Sequence, residues 1–175
     1  MDALYWQVKA LAALPVILLL IGAILLLSRA FAWRRKTLGI QNRILDSRLW
    51  YTPADAHQFF QAIGARGRRL YAVTQITLDV LFPLAYGTLL ATLIVSLCDE
   101  PYARLLVLAP LLTAAADLLE NITTAYLAFR FNDQVSSLAS AAASFTAAKW
   151  SLFSLSLIIV FIEVFETVMR TYNFA

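Results

Sequence analysis

The stretch TAAADLLENITT places two acids and an amide within two turns of an otherwise apolar run. Asp117, Glu120 and Asn121 stand at positions i, i+3 and i+4, so a helix would turn all three side chains to one side. Thr113 and Thr124 extend the same stripe. Carboxyl and amide groups in this pattern can bind a cation, hold a proton, or act as general acid and base. The stripe is therefore a candidate functional site.

A second polar stripe precedes it in the chain. Gln75, Asp79 and Tyr86 follow each other at spacings of four and seven residues, which places them on one helix face. Counted from the basic residues that flank the two segments, at about 1.5 Å per residue, Asp79 and Glu120 both lie roughly 13 to 15 Å deep. We therefore expect the two stripes to face each other and form one cluster across two helices.

The composition shows which elements must position these residues. Hydrophobic residues make up 61% of the 175 residues and charged residues 14%, whereas soluble domains are about half apolar and a quarter charged. A helix needs about 20 apolar residues to cross a bilayer. Four segments meet this requirement, at about 10–31, 70–97, 103–129 and 147–169. We predict an all-α, polytopic integral membrane protein with its four transmembrane helices in an antiparallel bundle, as a single membrane domain over 1–175.

The first segment has an alternative interpretation as a cleaved secretory signal. Residues 30–32, Ala-Phe-Ala, have the small-x-small form of a cleavage site. Against this, the apolar run is long for a signal, Asp2 weakens a positive start, and the basic cluster at 34–36 is typical of a segment retained at the cytoplasmic face. We therefore interpret the segment as a helix that stays in the protein.

The loop over 32–69 is predicted to be helical at the membrane surface. Thr52 suits an N-cap and Pro53 the first helical position, and Gly64 can end the helix, which predicts a helix over 53–63. Upstream, leucines at 38, 45 and 49 fall near one face, the pattern of an interfacial helix. We expect this segment to pack as a lid under the bundle.

The basic residues predict the orientation. Eleven of the fourteen Lys and Arg residues lie in the loop over 32–69 and its flanks or in the connection between the third and fourth segments. The opposite side carries Lys9, Arg104 and Arg170. The positive-inside rule then places the long loop in the cytoplasm and both termini outside. We expect a multi-pass protein of a bacterial inner membrane. The net charge of +3 comes mainly from the basic residues that set the topology. These residues are expected to attract anionic lipid headgroups rather than nucleic acid.

Several classes of site lack the residues they need. His57 is the single histidine and Cys98 the single cysteine, so the chain cannot build a zinc finger, a Cys/His catalytic pair or an internal disulfide. Neither a Walker A motif nor a dinucleotide-binding motif is present. We therefore predict no metal site and no cofactor.

The cost of burying charge constrains where the acidic side chains can point and how their charge is neutralised. A charged carboxylate at the bilayer centre costs roughly 2.5 to 3.5 kcal/mol on insertion scales. The acids are therefore expected to face inward and to share at least one proton, because no basic residue is predicted at their depth. Lys149 is expected at the cytoplasmic start of the fourth helix, as an interface anchor whose stem snorkels to water. The alternative is a counter-ion that reaches toward Glu120.

The same stripes have a purely structural alternative. Polar side chains also join membrane helices, at about 0.6 kcal/mol each in measured cases. Gln75, Asn121 and Thr124 could serve in this way alone. The acids argue against that interpretation for the whole cluster, because Asn or Ser would give such bonding without the cost of a carboxylate.

Three function classes follow. The favoured one is a small integral membrane protein whose buried, protonatable carboxylate and amide site binds a small ligand, a cation or a lipid headgroup, with transport as one use of it. The second is a membrane-embedded enzyme that modifies a lipid or isoprenoid by carboxyl acid–base chemistry. The third is a structural subunit that uses its stripes to bind partner helices. The expected partners are membrane lipid, a small lipid or cation ligand, and a second copy or another membrane protein.

Overall fold

The computed structural model of the chain describes residues 2–38, 44–132 and 134–173. This part is helical and contains no strand, which confirms the all-α prediction. The helices are α1 (Asp2–Leu11), α2 (Leu14–Leu38), α3 (Pro53–Gln75), α4 (Leu78–Leu97), α5 (Glu100–Leu106), α6 (Leu108–Phe129) and α7 (Leu138–Asn173), with a short 3-10 turn at Leu45–Ser47.

Four helical stretches in the described ranges are long and apolar enough to cross a membrane. They are Leu14–Lys36, Pro53–Leu97, Glu100–Phe129 and Leu138–Tyr172. This pattern indicates a multi-pass membrane protein. Each of the four predicted segments overlaps one stretch, although the first begins at Leu14 rather than near residue 10 because the chain leaves the helical conformation at residues 12 and 13.

The N-terminal helix α1 was not predicted from the sequence. Its buried residues Tyr5 and Val8 pack with Ile94 and Cys98 near the end of α4, and with Val107 just before α6. Lys9 donates a hydrogen bond from Nζ to the Tyr5 hydroxyl at 3.0 Å. Helix α1 therefore covers the end of the bundle where α4 ends and α6 begins.

The predicted start of the loop helix is confirmed. The backbone N–H of Asp55 donates to Thr52 Oγ1 at 3.2 Å, and the backbone N–H of Thr52 donates to Asp55 Oδ2 at 2.8 Å. This reciprocal capping box satisfies two donors at the helix start. At Gly64, φ is +65° and ψ is 178°, a conformation that glycine adopts readily. The backbone kinks there as expected, but the helix resumes and continues to Gln75.

The second predicted span is therefore two helices rather than one. Helices α3 and α4 are separated at Ile76 and Thr77, whose backbone angles depart from the helical values. Gln75 ends α3, and Asp79 lies in the first turn of α4. The prediction of one uninterrupted helix over 70–97 is wrong, because a run of apolar residues does not reveal a local break in the backbone.

The upstream interfacial helix is also not formed as predicted. Leu45 is fully buried whereas Leu49 is 72% exposed, so the two leucines do not share a face. Only the short 3-10 turn forms there, and residues 39–43 lie outside the described residues. Leu45 and Tyr51 pack into a core with Ala125 and Ala142 of the long helices. This part of the loop enters the bundle because burying its apolar side chains is more favourable than leaving them at an interface.

Helix α7 begins well before the predicted fourth span. Its first turns contain the Ala/Ser-rich stretch, in which Ala139, Ala142 and Ala143 are buried. Small residues let two helices approach closely, and α7 packs along α6 over this region. Because the helix starts at Leu138, Lys149 lies about 17 Å along it, at about 1.5 Å per residue.

The packing order places the polar residues inside. Helix α4 contacts α2, α6 and α7, and α6 contacts α3, α4 and α7. Helices α4 and α6 are thus central, while α2 lies outside, with none of its most apolar window buried by the protein. The candidate site residues lie on this central pair, at the end of α3 (Gln75) and on the inward face of α7.

The close approach of α4 and α6 at Gly87 is testable. A Cβ added at Gly87 would lie 2.8 Å from Ala114 Cβ and 3.3 Å from the Pro110 carbonyl oxygen. We expect Gly87→Ala to lower the unfolding free energy by about 1 to 3 kcal/mol through overpacking, measured by denaturant titration of the purified protein. The matched control is Gly22→Ala, since nothing lies within 4 Å of an added Cβ at that position of α2. Equal stabilities of the two variants would contradict the helix contact.

Candidate functional site

The centre of the site is the ammonium group of Lys149. Its Nζ lies 2.5 Å from Glu120 Oε2 and 3.2 Å from Asp117 Oδ1. It also donates to the backbone oxygen of Asp46 at 3.4 Å. Lys149 is only 7% exposed. The interpretation as a surface anchor is therefore wrong, because the early start of α7 carries this residue to the depth of the acids. The geometry matches the alternative of a counter-ion.

Two hydroxyl groups complete the surroundings of the acids. Thr146 donates from Oγ1 to Glu120 Oε1 at 2.7 Å, and Tyr86 donates from its hydroxyl to Asp117 Oδ2 at 2.8 Å. Each of the four carboxylate oxygens thus has a nearby donor group. We call Lys149, Asp117, Glu120, Thr146 and Tyr86 the ion cluster. It joins α4, α6 and α7 through side chains that are buried in all three helices.

The charges of the ion cluster do not balance. When every group is ionised, two carboxylates face one ammonium, which leaves one negative charge in excess. An uncompensated charge in a buried site is costly. The cluster can therefore accommodate one more positive charge, which could be a proton or a ligand cation. The predicted sharing of a proton remains a prediction.

The amide residues form a second group, beside the ion cluster. Three acceptors lie within hydrogen-bond distance of Gln75 Nε2 and share its two N–H bonds: the Tyr71 hydroxyl at 3.1 Å, Asn121 Oδ1 at 3.2 Å and Thr124 Oγ1 at 3.3 Å. The structure thus brings together three residues of the two predicted stripes. Their hydrogen bonds join α3 to α6, so the structural alternative describes this amide group well.

Asn121 has a further role at the break between α3 and α4. Its Nδ2 donates to the backbone oxygen of Asp79 at 2.8 Å. In a regular helix that oxygen would accept from the residue four positions later, which is Pro83 and has no N–H. The Asn121 amide therefore satisfies a carbonyl that the proline leaves free, as membrane helices require.

The side chains of two predicted residues join neither the ion cluster nor the amide group. Asp79 is buried, yet within the described residues no hydrogen bond reaches its carboxylate. The Thr113 hydroxyl donates to the Ala109 carbonyl of its own helix at 2.8 Å. The expected contact between the carboxyls of the two stripes is thus replaced by contacts to Lys149. The reason is that a cation at the same depth gives each acid of α6 a more favourable partner than another acid.

Two residues near the centre of the site, Thr146 and Tyr51, were not predicted from the sequence. Thr146 precedes Lys149 by three positions, a spacing that places both on one face of α7. Tyr51 is 1% exposed and belongs to the loop that enters the bundle. Burial raises the pKa of the Tyr51 phenol, and the nearby Glu120 carboxylate raises it further, so Tyr51 is a neutral phenol at the edge of the cluster. Only the Thr146 signal could have been read from spacing.

A cavity of about 390 Å³ lies between α2, α4 and α7, beside the ion cluster. Its size falls in the range of small-molecule sites. The charged side chains in its lining are Asp117 and Lys149. The remaining lining residues are aliphatic at Ile24, Leu89, Leu90 and Leu157, and aromatic at Phe82, Tyr86, Trp150 and Phe153. We call this cavity the apolar cleft.

A second cavity of about 410 Å³ lies near His57 and Arg130 at the end of α6, away from the ion cluster. Its lining includes neither acid of the site. Within the described ranges, no group of three or more His, Cys, Asp and Glu side chains is placed to hold a metal ion.

The comparisons with known proteins add no family to this description. No protein-family model matches the chain, and neither a curated protein nor a solved structure shows significant similarity to it. The proposed function therefore rests on the geometry of the site.

The charge pairing predicts that removing the Lys149 ammonium lowers the stability of the protein strongly. Lys149→Met leaves Asp117 and Glu120 buried without their cation, and we expect the unfolding free energy to fall by about 3 to 5 kcal/mol. Adding Asp117→Asn and Glu120→Gln to that variant should recover most of the loss, because neutral amides need no counter-ion. Denaturant titration of the three proteins measures both effects.

Arg170→Met is the matched control for the loss of a cation from α7. Arg170 pairs with Glu166 at 3.0 Å, with both side chains largely exposed, so its removal should change stability little. A Lys149→Met protein as stable as the Arg170→Met protein would show that the buried contacts are not formed.

Proposed function

We propose that the protein is a membrane protein that binds a small amphiphile in the apolar cleft. The apolar part of the ligand lies against the aliphatic and aromatic walls, and its polar head contacts the ion cluster. The observation that carries this proposal is the position of Asp117 and Lys149, a charged pair in an otherwise apolar cavity. A site with apolar walls and a few convergent polar groups suits a ligand of the same two-part character.

The arrangement of the helices supports access from the bilayer. Helices α2 and α7 both pack against α4. The apolar cleft lies between them, with Ile24 on the α2 side and Leu157 on the α7 side. Both helices carry apolar side chains on their outer surfaces, including Leu25 and Phe161. In a membrane, a ligand dissolved among the acyl chains would therefore reach the cleft sideways without crossing a polar layer.

The geometry favours binding over acid–base catalysis. A general acid must present a proton to its substrate at hydrogen-bond distance. In the ion cluster the oxygens of Asp117 face Lys149 and Tyr86, and those of Glu120 face Lys149 and Thr146. These contacts hold the carboxyls in place as acceptors. This arrangement supports a binding site for a charged group.

The same contacts argue against a purely structural subunit. Such a protein would have to present its polar stripes to partner helices. Glu120 and Thr124 are fully buried within the chain, and Asn121 is 1% exposed. These polar residues are thus enclosed within one chain and do not offer a polar surface to another.

We further propose the antiparallel, two-sided topology expected from the basic residues, in a bacterial inner membrane. Tyr5 of α1 packs with the end of α4, whereas Tyr51 of the long loop packs with the end of α6. The loop also carries Trp50, which is 57% exposed and of a residue type favoured at membrane interfaces. The loop then faces the cytoplasm, and both termini lie on the opposite side.

Binding in the apolar cleft predicts a matched pair of effects on α2. Ile24 lines the cleft, whereas Ile21 does not and is 41% exposed. We expect the wild-type protein, extracted in lipid nanodiscs and examined by native mass spectrometry, to retain a small amphiphile. Ile24→Trp should lose this mass by filling the cleft, and Ile21→Trp should keep it. Retention in both variants, or absence of any bound amphiphile in the wild type, would contradict the proposal.

The topology predicts which residues a membrane-impermeant maleimide can label. In a Cys98→Ser background, Leu49→Cys and Tyr102→Cys each place one thiol at an exposed position, since these residues are 72% and 69% exposed. In intact cells with the outer membrane opened, we expect labelling at 102 but not at 49. Inverted membrane vesicles should give the reverse pattern. Labelling of both sites from one side would refute the two-sided topology.

A further inference from the structure

We infer that the ligand of the apolar cleft is a hydrophobic organic cation, an amine or ammonium group attached to an apolar body. This inference rests on the proposed function and names the chemical class that the site selects. It follows from two independent features of the cleft, which are the excess negative charge beside it and the aromatic rings that surround it.

The first feature concerns which charged group is available to a ligand. The three N–H groups of Lys149 have three protein oxygens within reach, on Glu120, Asp117 and the backbone of Asp46. A bound anion would thus find those donors occupied and would lie beside two carboxylates. An ionised carboxylate has about four lone-pair sites, and Asp117 has one contact to each oxygen. Asp117 can therefore accept further hydrogen bonds from a cationic head.

The second feature is an aromatic wall of four rings next to Asp117. The ring centroids of Phe82 and Tyr86 are 5.5 Å apart, as are those of Tyr86 and Phe153, and those of Phe153 and Trp150 are 6.0 Å apart. All four residues line the cleft. Aromatic faces attract ammonium groups within about 6 Å of the ring centroid, and such walls are used to bind quaternary ammonium ligands. The Trp150 centroid already lies 5.8 Å from Lys149 Nζ, so the attraction for a ligand cation comes mainly from the other rings.

The two features together predict different affinities of the cleft for cationic, neutral and anionic amphiphiles. A cationic head neutralises the excess charge and gains attraction from the rings. A neutral alcohol gains only the burial of its chain, and an anionic head is repelled by the acids. The cleft should therefore prefer amines to alcohols, and alcohols to carboxylates or phosphates with the same chain.

A competition experiment tests this order directly. The full chain in nanodiscs of zwitterionic lipid is incubated with tritiated octylamine, and nanodiscs without protein give the background. Unlabelled octylamine and octyltrimethylammonium should displace the label about tenfold or more better than octanol, and octanoate should be the weakest competitor. The Ile24→Trp protein should bind no label above background.

Matched variants test whether the Asp117 charge and the aromatic rings cause the preference for cations. Asp117→Asn removes the charge and keeps an acceptor, so octylamine should bind about 10- to 100-fold more weakly, while octanol binding stays unchanged. Glu166→Gln removes an exposed acid of α7 outside the cleft and should have no effect. Phe153→Leu should weaken octyltrimethylammonium about three- to tenfold. Phe161→Leu, at an exposed position of α7, should not.

The outcomes separate this inference from the proposed function. If octanol and octanoate compete as well as octylamine, and Ile24→Trp abolishes all of them, the cleft binds amphiphiles but the preference for cations is wrong. If no amphiphile binds above background, or Ile24→Trp changes nothing, both the proposed function and the inference fail. The preference measured on the wild-type protein decides the question even where Asp117→Asn does not fold.

Discussion

The interaction on which the rest of the structure depends is the buried contact of Lys149 with Glu120 and Asp117. A charged group in apolar surroundings is tolerated only with partners at hydrogen-bond distance, so α6 and α7 must align until the ammonium meets the acids at 2.5 and 3.2 Å. Any axial slip of α7 by one turn, about 5.4 Å, would leave all three charges unpaired. The ion cluster therefore selects one register of the two helices, which apolar packing alone would specify far less strictly.

That register is reached through small residues and a break in the chain. Ala139, Ala142 and Ala143 let the start of α7 lie close to α6, which brings Lys149 to the depth of Glu120. Next to the acids on α6, Asn121 donates to the Asp79 carbonyl that the proline in α4 leaves free. Helix α6 is thus held by amide hydrogen bonds and by an ion pair that start from neighbouring positions. The polar stripe that looked like one site serves two separate purposes.

The sequence was sufficient for features that depend on local rules. Apolar length predicted the four spans, the Thr52 cap predicted the start of α3, and the spacing in the polar stripe predicted that Glu120 and Asn121 turn inward. The role of Lys149 could not be fixed in this way. Whether a lysine near a helix end reaches water or an acid depends on where the helix begins, and this start is decided by packing of small residues against a helix distant in sequence. Leu45 and Leu49 differ for the same reason, because tertiary packing buries one and leaves the other outside.

The two acids of the ion cluster are not equivalent, and this difference would allow stability and the proposed binding to share one site. Glu120 has the shorter contact with Lys149, is fully buried, and does not line the apolar cleft. Asp117 has the longer contact and lines the cleft together with the aromatic rings. A cation that binds Asp117 would thus compete only with the weaker of the two contacts of Lys149, while the contact with Glu120 keeps α7 in register. A site with a single acid would have to release its structural cation to bind a ligand, whereas two acids on one helix face make that exchange unnecessary.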